Sequence, residues 1–319
     1  MNLVKTSTAL ALVAALAAPA MAADEINFYG KANLGLQVSD EGGESETEVK
    51  SNASRVGVTG NLKVSDSLSV VYKAEVQVEM TDDDKDNIKG RNQYIGLKGN
   101  FGTVLVGRND TMLKQSQGKI DLFSDYEADI KNLWKGENRM GEAVTYVSPK
   151  FANFSAGLTY VAEGDKDQNA KNDGDAGVSA AVFYGDKKLK KSQWYASVAM
   201  DSEVEGIDAM RFNVATKLGG FKLGAIVHSQ EVVASGEETT GFLFSAAYKV
   251  NDFTLKGQLQ TSEEDYGDKA EKSAFTAGVD YALAKNAKIF AFYTAFDLDE
   301  DVSGDEDASY LATGFEYKF

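Results

Sequence analysis

Residues 26–38 read INFYGKANLGLQV. Their even positions are Ile26, Phe28, Gly30, Ala32, Leu34, Leu36 and Val38, whereas the odd ones are Asn27, Tyr29, Lys31, Asn33, Gly35 and Gln37. Successive side chains of a strand point to opposite faces, so this stretch predicts a strand with one oily face and one wet face. The device recurs. Leu68, Val70, Tyr72, Ala74, Val76, Val78 and Met80 alternate with Ser69, Lys73, Glu75, Gln77 and Glu79, and Val56, Val58 and Leu62 stand opposite Arg55, Thr59 and Asn61. Phe253, Leu255, Gly257 and Leu259 alternate with Thr254, Lys256, Gln258 and Gln260. Stretches near 90–99, 177–185 and 288–296 carry apolar residues on both faces, which predicts contact with further protein.

The connections are of two kinds. Short ones such as Val64-Ser65-Asp66, Gly99-Asn100-Phe101-Gly102, Leu218-Gly219-Gly220 and Ala284-Lys285-Asn286 take turns with long acidic ones around 40–49, 80–89, 163–175, 231–240, 262–271 and 297–307. Short turns on one rim and long loops on the other are the arrangement of transmembrane barrels. Sixteen segments are predicted, starting near 26, 51, 67, 90, 102, 139, 153, 176, 190, 207, 221, 240, 252, 272, 287 and 308. About sixteen strands leave an aqueous channel, where about eight are filled by side chains. The fold class read here is all-β, a 16-stranded antiparallel transmembrane barrel. A soluble sheet protein also alternates, but basic and acidic residues on the polar faces and a large aromatic complement favour a wet lumen.

The first 22 residues read as a signal peptide, with Lys5 in the basic region, an apolar run over Ala9–Ala18 and a small-x-small site at Ala20-Met21-Ala22, leaving a barrel domain at 23–319. That domain has no cysteine and one proline, Pro149. A net charge of −16 makes nucleic acid an unsuitable partner. Acidic runs such as Asp82-Asp83-Asp84 and Asp299-Glu300-Asp301 would gather cations at the mouth, and the sequence leans to cation selectivity on that ground.

The longest connection runs from Asn109 to about Asn138 and carries Ile120, Leu122, Phe123, Tyr126, Ile130, Leu133 and Trp134. Such apolar anchors predict an ordered loop packed inside the barrel, with a surface flap as the alternative.

INFYGKANLGL, SRVGVTGNL, GRNQYIGLKGNFGTVLVGR, RMGEAVTYVSPKF and YLATGFEYKF together resemble the general diffusion porins of Gram-negative outer membranes. The resemblance implies a homotrimer, a third loop folded into the lumen and a constriction with basic wall residues facing acidic loop residues. The wall positions it implies are Lys31, Arg55, Arg91 and Arg139, with Glu75 as an acidic wall residue; Arg91 is placed by the resemblance alone. The loop departs from the family pattern, lacking a PEFGG-type stretch, so Asp121, Asp125, Glu127 and Asp129 are candidates by position. Phe319 resembles the terminal signal read by the barrel assembly machinery. The function implied is passive diffusion of ions and small hydrophilic solutes, with a substrate-selective channel as the alternative and lipopolysaccharide as a neighbour.

No enzyme is expected. The single histidine, His228, sits next to Ser229, which points to the other face of the strand. Asp297, Asp299 and Asp301 begin like a calcium loop, but Val302 stands at the glycine position and Ala308 at the twelfth, so no metal or cofactor is expected; loose divalent binding by the outer carboxylates is the remaining option.

Overall fold

The structure, a computed structural model, describes residues 25–81, 87–171, 175–267, 269–299 and 306–319. The signal peptide and the Asp82-Asp83-Asp84 and Glu300-Asp301 runs lie outside them.

Seventeen strand segments follow one another: β1 (Glu25–Glu41), β2 (Glu44–Ser51), β3 (Arg55–Ser65), β4 (Leu68–Val78), β5 (Ile88–Gly99), β6 (Gly102–Asp110), β7 (Arg139–Val147), β8 (Phe154–Val161) and β9 (Gly177–Gly185). The second half comprises β10 (Trp194–Val204), β11 (Ile207–Leu218), β12 (Phe221–Val232), β13 (Glu237–Val250), β14 (Phe253–Glu264), β15 (Glu271–Ala284), β16 (Ala287–Asp297) and β17 (Ala308–Lys318). β2 and β3 both pair with β1, over its outer and inner halves, so they are one stave broken at 52–54, where Ala53 has φ +50°. Sixteen antiparallel staves result, and β1 closes on β17 from Lys31↔Lys318 to Glu41↔Ala308. Closure leaves no unpaired edge, which a sheet in lipid requires.

The alternation sorts as the sequence predicts. Leu36, Leu259 and Leu311 are 50%, 53% and 59% exposed on the outside, whereas Asn33, Gln37 and Gln260 are buried inside. Exposed apolar and enclosed polar side chains invert the arrangement of a soluble protein. At the short-turn rim, neighbouring strands pair outward rings: Phe154 with Tyr184 at 5.0 Å, Phe221 with Tyr248 at 4.5 Å, and Phe253 with Tyr281 at 4.8 Å. This is an interfacial aromatic belt. On β3 and β5 the outward residues near that rim are Leu62, Val64 and Leu97 instead.

Three expectations change. The acidic stretch at 40–49 is mostly strand, because β1 and β2 meet in a hairpin whose Gly42 and Gly43 have φ +60° and +83°, values that open conformations to glycine. Residues 231–240 and 262–271 likewise contribute to strands, so acidic residues extend the staves rather than form loops. The strand expected from 190 starts at Trp194, since Asp186 accepts the backbone N–H groups of Lys188, Lys190 and Lys191 and folds 186–193 into a turn.

The poorly alternating strands meet this chain's own loop. Ala181 and Phe183 of β9 join a buried cluster with Met112, Leu113 and Ile120, and Phe290 and Phe292 of β16 pack with Phe123 and Tyr126.

A charged waist inside the barrel

The connection between β6 and β7 begins with a short helix, α1 (Met112–Ser116), capped by the Thr111 hydroxyl, which accepts the Lys114 N–H at 3.2 Å. From there the loop is fastened to the inward faces of one side of the barrel. Tyr195 of β10 donates to the Ser116 carbonyl at 2.6 Å, Ser245 of β13 to that of Ile120 at 2.6 Å, and Gln258 of β14 to that of Ala128 at 3.1 Å. Trp134 donates its indole N–H to the Thr261 carbonyl at 2.9 Å and stacks on His228 at 5.2 Å. Wall glycines make room: a Cβ on Gly224 or Gly241 would collide with Ile120 or Trp134. Buried apolar side chains contribute about 1.5–3 kcal/mol each, so these anchors, together with the hydrogen bonds to the wall, offset part of the cost of ordering a long loop.

The loop's acids divide by partner. Asp125 faces the wall: its Oδ2 accepts from Lys31 Nζ at 2.8 Å and lies 3.3 Å from Arg55. Glu127 accepts from Lys50 and, at 3.1 Å, from Gln37. Asp121 and Asp129 turn inward on the loop instead. Asp121 accepts the N–H groups of Phe123 and Ile130 at 2.8 and 3.2 Å, and Asp129 those of Asp125 and Lys131 at 3.0 and 3.1 Å. Two cations hold the Asp125 carboxyl down at about 2 against the effect of its burial.

On the facing wall, Glu75 gathers three partners: Tyr29 Oη at 2.7 Å, Arg91 Nε at 2.8 Å and Lys73 Nζ at 3.3 Å. Arg91 reaches it through a β-bulge. Ala74 pairs with Gln93 and Val76 with Gly90, so Arg91 and Asn92 stand together opposite Glu75, and both reach lumen partners. Bulges re-aim side chains in this way, which is why alternation in β5 reads poorly. Arg139 stands just before a second bulge, pairs with Asp110 at 2.9 Å and donates to Asn92 at 2.6 Å.

Lys50, Asn92 and Asp110 were missed by sequence reading. Lys50 sits in a stretch whose acidity suggested a loop, and Asp110 lies two residues after Arg108 of the β6 glycine-arginine pair, the one local signal that could have marked it.

Three cavities of about 630, 460 and 810 Å³ occupy the lumen, and Arg55 lines all of them. Arg55 and Asp125 thus border the spaces on either side of the loop. Fifteen cationic and nine acidic side chains line these cavities, so their lining is net positive although the chain carries −16. Among the described residues no cluster of carboxylates and histidines could hold a metal ion.

A closed sixteen-stave barrel, oily outside and charged within, narrowed by its own loop, defines an outer-membrane barrel of the porin class. The chain belongs to the Gram-negative porin family, whose model matches residues 7–301. Major outer membrane protein P.IB of Neisseria sicca is 31% identical over 169 residues, 49% of this chain and 46% of that protein. The chain spans about half the length of the curated P.IB relatives it matches. A monosaccharide porin of Halomonas sp. is 24% identical across 99% of this chain and 100% of its own length. Among solved structures, the anion-selective porin from Comamonas acidovorans superposes with a TM-score of 0.79 at 16% identity, covering 93% of this chain and 100% of that one. The trimer form of OmpT from Vibrio cholerae gives 0.69 at 18%, covering 93% and 100%. At these identities the structural likeness concerns the fold.

Proposed function

We propose that the chain forms a water-filled pore in the outer membrane for passive diffusion of ions and small hydrophilic solutes, with its waist between Lys31, Arg55, Arg91 and Arg139 on the wall and Asp125 and Glu127 on the loop. The observation that carries this reading is Arg55, which borders the cavities on both sides of the loop inside a closed barrel. Opposed charges across a narrow aperture order water and disfavour apolar solutes, and no conformational cycle is needed. Asp121 and Asp129 act as internal ties of the loop, and Glu75 aligns Tyr29, Lys73 and Arg91.

The net positive lining supports a preference for anions, in place of the cation lean drawn from the outer loops, because charge at the waist weighs more on a passing ion than charge at the solvated mouth. Catalysis finds no support: His228 is buried against Trp134, and Ser229 is exposed on the opposite face. Three copies would meet where Leu62, Val64 and Leu97 stand without rings, since a subunit contact needs no interfacial aromatics. Residues 1–22 would be removed on export, Phe319 would be read during barrel assembly, and the outer carboxylates would neighbour lipopolysaccharide.

Planar-bilayer recording of the purified protein under a salt gradient tests this. Large, unsaturating currents closing in three steps, with a reversal potential of anionic sign, are expected; a folded barrel that passes no current overturns the pore.

A further inference from the structure

At the waist every loop acid that faces the wall meets a base. On the short-turn side of the loop this complementarity reverses. There the loop presents Lys119, exposed to the lumen, and the wall opposite it presents Lys217, Lys222 and Lys249 from β11, β12 and β13 around one cavity. Lys188, from the turn at 186–193, borders an adjoining cleft with Lys119 and Lys222. Among the described residues none of these five ammonium groups has a carboxylate in ion-pair reach, whereas across the same cavity Lys256 and Lys288 share Asp280 at 3.0 and 2.9 Å, and Lys318 meets Glu316 at 2.7 Å.

The turn is not a loose tail that carries charge by accident. Leu189 is buried in the same apolar cluster as Ile120, and the Lys187 ammonium lies 4.2 Å over the Phe183 ring. Asp186, the one acid of the turn, is committed to the backbone N–H groups of its own residues. Desolvation by the surrounding lumen walls lowers the pKa of Lys119 even though its side chain is solvent-accessible, and Arg55, Lys188 and Lys318 lower it further against the pull of Asp125. A concave surface with low-dielectric walls and one sign of charge focuses its field, and only a counter-charge placed within it relieves the repulsion.

We propose that this inner vestibule is a binding site for small oligoanions, solutes carrying two or more phosphate or carboxylate groups, held between Lys119 on the loop and Lys217 and Lys222 on the wall. A single phosphate satisfies one side of the gap; a molecule with separated anionic groups bridges loop and wall at once. By the side on which the short turns lie, the site opens to the periplasm. The proposal rests on the pore reading only in that the site lies within the lumen.

Tripolyphosphate is the probe. Its binding to the detergent-folded barrel, measured by calorimetry, is expected to fall at least about tenfold in the K119Q/K217Q/K222Q variant, whose folding is checked by its heat-modifiable electrophoretic mobility. In bilayers, tripolyphosphate added at the short-turn side is expected to block the current at lower concentration than from the other side. Equal binding by the variant overturns the site, as does an equal effect of orthophosphate at matched ionic strength, which is charge screening alone. If the barrel binds tripolyphosphate but passes no current, the pore reading fails and the site stands.

Discussion

The Lys31 ammonium and the Asp125 carboxylate meet at 2.8 Å across 94 positions of sequence, tying the first stave to the middle of the internal loop. One carboxylate oxygen serves both Lys31 and Arg55, so removing its charge frees two cations on the lumen wall. Asp125→Asn is expected to raise the anion-to-cation permeability ratio severalfold and to increase current noise as the loop loosens. The pH dependence has a definite sign. The folded carboxyl titrates at about 2, below its ordinary value near 4, so the tie is complete above about pH 4 and is lost as pH falls through about 2. Reversal potentials recorded for both proteins at neutral pH and at about pH 2 check this; identical selectivity in the two would remove Asp125 from the waist.

The staves were legible in the sequence because period-two alternation survives wherever one face meets lipid and the other water, as at Leu34, Leu36 and Val38. It failed where a third partner intrudes. Phe183, Phe290 and Phe292 are apolar and point inward since the loop, not water, covers them. At Arg91 a bulge moves the count by one, and nothing local in the sequence announces a bulge. The loop acids were separable only in three dimensions. Asp121 and Asp125 are four residues apart and alike in composition, yet one accepts from backbone N–H groups and the other from wall cations.

Trp134 fixes the far end of the loop, with its ring seated over Gly241 and its N–H on Thr261. Trp134→Ala is expected to cost the docked loop about 3–5 kcal/mol, the usual range for a buried tryptophan. Gly241→Val, which fills the seat from the wall side, should produce the same phenotype without touching the loop sequence. Limited proteolysis within 111–138 and single-channel sub-states report the loop directly. A rigid, protease-resistant loop in both variants would show that the polar ties alone hold it.

Gly30 and Phe319 exchange backbone hydrogen bonds at 2.9 and 3.2 Å, and the Phe319 ring occupies the space a Gly30 side chain would need. The terminal residue therefore has a structural role in closure as well as any role as a signal. Gly30→Leu leaves Phe319 in the sequence but displaces its ring, so it separates the two. Slower refolding of Gly30→Leu into detergent, where no assembly machinery is present, is expected from closure. Wild-type refolding there, together with a defect of Phe319→Ala confined to cells, would assign Phe319 to recognition alone.

Asp121 is buried beneath the loop, and burial, with the Asp129 carboxylate adding to it, pushes its carboxyl above the ordinary carboxylate range against the backbone N–H groups and Gln258 that favour its anion. The sign is opposite to that of Asp125. A raised carboxyl favours the neutral form in the folded loop, so its contribution is full below about pH 4 and is lost as pH rises through the raised folded value. Loop docking should thus loosen from acid toward neutral pH, seen as more frequent sub-state transitions at pH 8 than at pH 5. Asp121→Asn keeps an acceptor for the Phe123 N–H without the titrating proton, and it is expected to flatten this dependence while leaving the pH 5 currents close to those of the unsubstituted protein. If the pH 5 to pH 8 difference persists undiminished in Asp121→Asn, the titrating group lies elsewhere, and the Asp121 carboxyl is an ordinary anion held by its hydrogen bonds.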